Sequence, residues 1–585
     1  MKRINERTGR VLLACLLSSF MPLSAADNPA TITQGPQSSE IEQLKAMLAD
    51  QQRQINELRQ ALAQQQKLPQ QQEKQADGNV SASAGSSVMP QVDPTPVSTF
   101  RNLGQVASTA AVLPHPPAAF AIPTAALPQP APAASSAPKN PCEADPDKTI
   151  PTFLRIGNVC IVPIGFMDLT PVWRDKNAGS GMGSNFGSLP YNNTANGNLN
   201  EFRFSSQNAR IGFRVDGDWK GTHFIGYNEF DFNGTSGSTA LGVSNGAIVP
   251  RLRLFWADVR KGKVEYLVGQ SWSMMVPNRN GISALPGDLF YTQVIDINYM
   301  AGLTWTRQPG MRILYHANKQ VTLGFSAEQP DQYIGGSAGG SGITLPGNFT
   351  GLAGTQLDNA QNISAGSYLT QPTVTPDFIA KIAFDLPRVH FEVAGLQSNF
   401  RTTNASAPFT THYTKAGGGL QFGLNVALAK NFRLITTNFL SDGGGRYLFG
   451  QAPDVIVRAD GSLSTVRADG TIDGFEATVK NTMFYAYYGG IYIGRNVAID
   501  TNGKPVGYGY TGSPNSQNRS INEFTFGFNQ TLWRNPRYGA INLMGQYEYL
   551  MRDPWYVAPG TPKATHDNTI YMNIRYTLPG AMPNF

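Results

Sequence analysis

The chain has 585 residues and a formal net charge of +6, and 15% of its residues are charged. Ordinary soluble domains carry about 25% charged residues, so the composition disfavours a soluble globular protein, and the small net charge gives no sign of a nucleic-acid partner. After the first 26 residues there is no run of about 20 apolar residues, which excludes a membrane-spanning helix and leaves strands as the means of any span.

The N-terminus predicts a cleaved secretory signal over residues 1–26. Basic residues precede an apolar run from Val11 to Leu23, and the small residues Ser24-Ala25-Ala26 follow it. Four basic residues and one acidic residue leave with this segment, which lowers the net charge from +6 to +3. The alternative, a lipid-attachment box ending at Cys15, is weaker because only Val11 of the apolar run would precede it.

Residues 39–68 predict a short periplasmic coiled coil between copies of the chain. One heptad position holds only apolar residues, and the other alternates leucine with glutamine; the two sets are Ile41, Leu48, Ile55 and Leu62, and Leu44, Gln51, Leu58 and Gln65. A single amphipathic helix lying on a core is the alternative, but the segment has no globular domain of its own. Residues 69–149 are rich in Pro, Ala and Gln and predict a linker too polar to fold.

Residues 150–585 predict an all-β fold, a transmembrane antiparallel β-barrel. The stretch Asp377 to Ala394 shows the pattern best, because apolar side chains occupy one face of each strand of a hairpin. Charged side chains occupy the other face, namely Asp377, Lys381, Arg388, His390 and Glu392. Such a sheet can wall a water-filled barrel in lipid or form one layer of a soluble sandwich. A sandwich of this length would split into domains, and no linker-like break interrupts it.

The connections between predicted strands support a barrel of about 16 strands. Tight turns at 260–263 and 317–320 contrast with long loops at 335–366 and 441–474, as in barrels with short turns at one end. The length suggests 14 to 18 strands, an even number, and a barrel of that size keeps a channel. Asp460-Gly461 and Asp469-Gly470, in a repeated Val-Arg-Ala-Asp-Gly, each predict a hairpin turn in an extracellular flap.

Six arginines are predicted to point into the lumen by strand parity. Leu252, Leu254 and Trp256 are expected to face outward, like the apolar residues beside the other predicted strands, and the arginines are Arg203, Arg210, Arg214, Arg251, Arg253 and Arg312. The alternation of outward and inward residues shifts by one position between Phe204 and Ile211, which predicts a bulge or a break in the strand. A row of guanidiniums would attract anions; the alternative is a structural ladder with Glu201, Glu229, Asp231 and Glu265.

A loop that narrows the pore is predicted after Gly269-Gln270-Ser271-Trp272-Ser273, where a strand ends. The segment from Met274 to Asn298 lacks alternation, and its ionisable groups are Arg279, Asp288 and Asp296. An ordinary surface loop is the alternative.

The cysteines and histidines limit the disulfide, metal-binding and catalytic chemistry that the sequence allows. Cys142 and Cys160 would remain in an oxidising compartment after export, which predicts a disulfide. The six histidines have no metal-ligand spacing, and no nucleophile motif such as G-x-S-x-G occurs. We therefore expect no metal, no cofactor and no catalytic turnover, with an outer-membrane barrel enzyme as the weakest alternative.

Several motifs resemble the DcaP-like outer-membrane porins. These are RFSSQNARIG from Arg203 to Gly212, GQSWS at 269–273, YAYYGGIYIGRN at 485–496 and TLWRNPRYGAINLMGQYEYLMRDPW at 531–555. The resemblance implies a trimer of sixteen-stranded barrels in outer-membrane lipid, a periplasmic coiled coil, and uptake of small, often dicarboxylate, anions. The expectation is a porin that passes small anionic solutes by diffusion; the alternative is a structural barrel whose coiled coil engages peptidoglycan.

Overall fold

The structure is a computed structural model, and it describes residues 153–179, 181–234, 249–290, 292–336, 340, 342–350, 371–535 and 538–579. The predicted signal at 1–26, the coiled coil at 39–68 and the linker at 69–149 lie outside the described residues, as does Cys142.

The described residues form antiparallel strands joined by turns and loops. The strands are β1 Leu154–Ile156, β2 Val159–Arg174, β3 Glu201–Ser205, β4 Arg210–Trp219, β5 Thr222–Gly234, β6 Val249–Lys261, β7 Val264–Trp272, β8 Arg307–His316, β9 Val321–Glu328, β10 Asp377–Leu386, β11 Val389–Thr403, β12 His412–Ala429, β13 Phe432–Asp442, β14 Val455–Val457, β15 Leu463–Thr465, β16 Arg467–Val479, β17 Thr482–Ile493, β18 Asn496–Ile499, β19 Pro505–Tyr508, β20 Asn518–Asn535, β21 Gly539–Pro554 and β22 Thr565–Thr577. Single 3₁₀ turns occur at Phe186–Ser188, Asn196–Asn198 and Gly445–Tyr447.

Sixteen strand positions close into a barrel, because β2 pairs with β22 on one side and with β3 and β4 on the other. β3 and β4 together occupy one strand position of the barrel, because both pair with β2. β3 pairs with Thr170–Arg174, and β4 pairs with Val159–Phe166. The break between them accounts for the phase change predicted between Phe204 and Ile211. β14–β15 and β18–β19 form separate hairpins within loops. The all-β barrel and its predicted strand number are confirmed.

Short turns gather at one end of the barrel and long loops at the other. The turns after β6 and β8 fall where the sequence predicted them, at 261–264 and 316–321. Asp460-Gly461 lies between β14 and β15, as expected, but Asp469-Gly470 lies inside β16, so the second predicted turn is wrong. There the chain pairs with β13 and β17 on both sides, and this ladder overrides the local turn preference.

The barrel wall has an apolar outward face and a polar inward face. On β10, Phe378, Ile382 and Phe384 alternate with buried Asp377 and Lys381, as predicted. Arg388 departs from that prediction, because it lies in the turn between β10 and β11. Within the described part of the chain, no helix has the length and apolarity needed to cross a membrane.

A bulge at Arg253 changes the phase of β6. Leu252 pairs with Phe230 and Leu254 with Glu229, so Arg253 has no directly opposite residue on β5. Beyond this point Leu254 and Trp256 are buried, whereas Leu252 is exposed on the outward face. The expectation that Leu254 and Trp256 face outward is therefore wrong, because one extra residue inverts the alternation. Arg253 itself remains inside.

Candidate functional site in the barrel lumen

The segment from residue 273 to residue 306, here called the lumen loop, folds into the barrel between β7 and β8. Its backbone N–H groups donate to side chains of the wall: Met274 to Glu328 of β9 at 2.9 Å, and Asn278 to Glu392 of β11 at 3.1 Å. Most of its described residues are buried. The alternative of an ordinary surface loop is therefore excluded for the described part of this segment.

The same loop also reaches the opposite wall. Arg279 forms a two-point ion pair with Glu476 of β16 at 2.6 and 2.9 Å. Ala301 N–H donates to Glu523 of β20 at 2.9 Å, and Gln293 N–H donates to the hydroxyl of Tyr487 of β17 at 3.3 Å. Because it is attached on both sides, the lumen loop crosses the interior of the barrel.

Lys381 of β10 holds the first part of the loop. Its ammonium donates to the carbonyl oxygens of Met274 and Val276, at 3.2 and 2.9 Å, and to Oδ1 of Asn278 at 2.9 Å. It also forms an ion pair with Glu392 at 2.9 Å, and both side chains are buried. The alternating pattern of β10 predicted that Lys381 faces inward, but no sequence signal indicated that it binds this loop.

Asp296 anchors the second part of the loop. Its carboxylate accepts hydrogen bonds from Ser184 N–H at 2.7 Å and from the hydroxyl of Tyr571 at 2.8 Å. Burial is the main influence on this group and raises its pKa above the usual range. Asp296 therefore joins three parts of the chain and does not face an open channel.

Asp288 lies near the turn end of the barrel wall and is partly exposed. Burial raises the pKa of Asp288 to about 6; Ser283 and Arg214 act against this shift, and Glu265 and Asp385 act with it. Of the three ionisable groups predicted in the loop, Arg279 and Asp296 are used as anchors. Asp288 is the one whose charge changes near neutral pH.

Arginines concentrate on the wall formed by β4, β5, β6 and β8. Arg253 Nε donates to Glu229 at 2.5 Å and its Nη1 donates to Asp231 at 3.1 Å, while Arg251 contacts Asp231 through two atoms at 2.6 and 3.0 Å. Arg210 lies 3.4 Å from Glu229. Arg307 and Arg253 both lie over the Trp272 ring, at 5.5 and 5.7 Å from its centroid. We call Arg210, Arg251, Arg253 and Arg307 the arginine cluster.

The other predicted arginines lie apart from this cluster. Arg214 forms a two-point pair with Asp216 at 2.7 and 2.8 Å, and 20% of its side chain is exposed. Arg203 contacts Glu201 at 2.8 Å near the loop end of the wall, with half of its side chain exposed. Arg312 is buried and donates to the hydroxyl of Ser271 at 3.1 Å. All three lie on the inward face by strand register.

The carboxylates named in the ladder alternative do pair with basic side chains. Glu201 contacts both Arg174 and Arg203, Glu229 and Asp231 contact the arginine cluster, and Glu265 contacts His316 at 2.9 Å. The wall therefore contains a structural ladder. Within the arginine cluster, however, four guanidiniums accompany two ladder carboxylates, so this part of the lumen has an excess of positive charge.

Sequence reasoning missed Arg307 of the arginine cluster, and it missed Arg174 and Arg575. Arg575 lies on β22 and contacts Asp168 at 2.7 Å. The alternation of β22 carried the signal for Arg575, since Tyr571, Asn573 and Arg575 share a face. Arg307 begins β8 directly after an irregular loop, where there is no alternation from which to assign a direction.

Cys160 is buried on β2 and disulfide-bonded. Its expected partner, Cys142, lies outside the described residues. In the ranges that the structure describes, no group of three or more His, Cys, Asp or Glu side chains is arranged to hold a metal ion.

No protein-family model matches the sequence, and the search of curated proteins gave no match. Among solved structures, the outer membrane channel DcaP of Acinetobacter baumannii is 16% identical, with a TM-score of 0.52, and the match covers 72% of this chain and 99% of that chain. The anion-selective porin from Comamonas acidovorans is 10% identical, with a TM-score of 0.40, over 72% of this chain and 100% of that chain. The fold of the described residues is therefore similar to that of DcaP, which confirms the resemblance to DcaP-like porins at the level of the fold.

Proposed function

We propose that the protein is an outer-membrane porin, a passive diffusion channel for small hydrophilic anions that carry carboxylate groups. The observation that carries the proposal is the arginine cluster on the inward face of the wall, where the guanidiniums of Arg210, Arg251, Arg253 and Arg307 accompany the carboxylates of Glu229 and Asp231. Excess positive charge at a narrow point raises the local concentration of anions and repels cations.

The chemistry of guanidinium suits carboxylate solutes. A guanidinium offers paired N–H donors that match the two oxygens of a carboxylate, so a passing solute exchanges its water for hydrogen bonds of similar strength. The partly exposed side chains of Arg214 and Arg251 are the groups best placed to make this exchange. The lumen loop would set the width of the passage, and no chemical step is needed.

We further propose an arrangement of the whole chain. Residues 1–26 are removed on export, the coiled coil at 39–68 and the linker at 69–149 extend into the periplasm, and residues 150–585 form the barrel in the outer membrane. Three copies associate, and Cys142 bonds to Cys160 near the start of the wall. The heptads and the secretory signal in the sequence support this arrangement.

The decisive experiment is a planar-bilayer recording of the refolded full-length chain under a salt gradient. We expect conductance in steps of three and a reversal potential of the sign that anion selectivity produces. A cation-selective reversal potential would contradict the charge argument. A folded, inserted barrel without conductance would contradict the porin function as a whole.

The heptads at residues 39–68 favour one second candidate, a structural barrel tethered to peptidoglycan through its coiled coil. Deletion of residues 39–66 separates the two functions. A porin keeps its conductance per copy after this deletion, whereas a tether loses cell-envelope integrity, measured as leakage of a periplasmic enzyme, while the pore is unchanged.

A further inference from the structure

The outward face of the wall carries a polar patch among strands whose outward residues are otherwise largely apolar. The patch consists of Thr436 and Asn438 on β13, Thr471 and Asp473 on β16, and Asn522 on β20. Register places Thr436 opposite Asp473 and Asn438 opposite Thr471. On the same strands the intervening Ile435 and Ile472 are buried on the inward side, so the patch faces away from the lumen.

The patch residues are hydrogen-bonded to one another. Thr436 donates to Asp473 at 2.6 Å, Thr471 lies 3.0 Å from the other carboxylate oxygen of Asp473, and Asn438 donates to Thr436 at 3.1 Å. Beside them, the hydroxyl of Tyr488 on β17 donates to Asn522 at 2.8 Å. The side chains form an ordered network, yet Asp473 and Asn438 remain exposed in the single chain.

Asp473 lies at mid-height on the wall. It is six residues from the turn end of β16, which at about 3.3 Å per residue and a tilt of about 40° places it about 15 Å above that turn, within an apolar band about 25 Å tall. Exposed Phe475 lies on its turn side, and exposed Leu440 and Tyr492 lie on its loop side. The other outward-facing ionisable side chains of β11, β13 and β16 are Arg401, Asp442, Arg467 and Asp469. Each of them lies within two residues of the loop end of its strand.

Lipid is a poor covering for this patch. A carboxylate exposed to hydrocarbon near the midplane costs on the order of 2 to 3 kcal/mol, because lipid offers no partner to its charge beyond the hydroxyls of Thr436 and Thr471. We propose that the outward face of β13, β16, β17 and β20 around Asp473 is the surface through which copies of this chain associate. The proposal rests on the membrane location of the barrel and adds the place of contact.

Another copy of the chain is the partner that the observations favour. The heptad pattern at residues 39–68 predicts a coiled coil between copies of the chain, which would be a second, independent element of self-association.

The area of the proposed face can be compared with that of a standard protein–protein interface. Four strand positions, those of β13, β16, β17 and β20, spaced by about 4.8 Å and covered over about 25 Å of height, give about 480 Å² of wall. A standard interface covers about 800 Å² on each partner, so this face supplies more than half of that area and neighbouring strands and loops would supply the rest.

Cross-linking of the full-length chain in native outer membrane tests the place of contact. Asn438→Cys puts a thiol in the patch, and Ala257→Cys puts one on the outward face of β6, seven strand positions away around the sixteen. With a short bis-maleimide we expect linked dimers from the patch variant at ten times the yield of the β6 variant or more. Equal yields, or linking at β6 alone, overturn the proposal.

Asp473→Leu provides a test that does not depend on thiol geometry. If lipid covers the patch, leucine fits as well as aspartate or better, and the temperature at which SDS separates the copies is unchanged or raised. If another copy covers the patch, the carboxylate acceptor is lost and that temperature falls by 10 °C or more. An unchanged or raised temperature overturns the proposal.

Failure of the interface and failure of the porin function give different results. Oligomers that link through Asn438 but do not conduct overturn the porin function alone. Barrels that conduct as anion channels but neither link through Asn438 nor respond to Asp473→Leu overturn the interface alone. Heat-induced unfolding of the separated barrel is recorded for each variant, and only variants whose barrel unfolds at the wild-type temperature are compared.

Discussion

Arg279 and Glu476 join the lumen loop to the far wall of the barrel through two charge-assisted hydrogen bonds, at 2.9 and 2.6 Å. They are separated by 197 residues along the chain. The hydroxyl of Tyr487 also donates to Glu476 at 2.7 Å, so two side chains hold this carboxylate. This pair fixes an irregular loop within the interior of the barrel.

Arg279→Ala should release the first half of the lumen loop from β16. Removing one partner of a buried pair costs about 3 to 5 kcal/mol, because the other charge is left without compensation. We expect larger and noisier single-channel currents. The double variant Arg279→Met/Glu476→Leu is the matched control: it removes both charges of the pair and should bring the current noise closer to the wild-type level. Identical noise in all three proteins would show that the pair does not hold the loop.

Gly302→Ala should displace the loop from the wall by steric conflict. Gly302 has a φ of +92°, and a Cβ atom there would lie 2.3 Å from the carbonyl oxygen of Thr471. Gly503→Ala is the control, since Gly503 has a φ of +79° but nothing within 4 Å of an added Cβ. We expect a loss of about 1 kcal/mol in the control from backbone strain and about 2 to 5 kcal/mol at Gly302. Heat-induced unfolding in detergent measures both.

Asp288 should make ion selectivity depend on pH. Its pKa of about 6 lies above the ordinary value of 3.8, so the packed loop is favoured at low pH and this advantage is lost as the pH rises through about 6. Ionisation also adds a negative charge within the lumen. We therefore expect anion preference, measured as reversal potential, to weaken between pH 5 and pH 7. Asp288→Asn should remove most of this change; a full change in that variant would show that other groups cause it.

Arg251→Gln should reduce anion preference without changing the fold. The variant leaves Asp231 with Arg253 as a partner and removes one partly exposed positive charge. A Coulomb energy of about 1 kcal/mol in water corresponds to about a fivefold fall in the anion-to-cation permeability ratio. Arg467→Gln is the control, because Arg467 is exposed on the outward rim of β16. An equal effect of the two variants would mean that surface charge and not the lumen sets selectivity.

Local alternation was enough to predict the wall. The hairpin from Asp377 to Ala394 has the predicted faces, and the break between β3 and β4 lies where the phase change between Phe204 and Ile211 placed it. These predictions succeeded because side chains of a strand alternate every two residues whatever the strand pairs with. The same rule failed at Leu254 and Trp256, since a single extra residue on β6 inverts the alternation and the sequence does not mark it.

The sequence by itself therefore determined the class of fold, the approximate number of strands and the inward direction of most of the charged side chains. Tertiary structure decided which charges meet. Arg279 finds Glu476, Asp296 finds Tyr571, and Arg307 joins the arginine cluster only after strands far apart in the chain have closed the barrel. The physical reason is that alternation is a local property of the backbone, whereas the partners of a lumen side chain depend on register and closure around the entire wall.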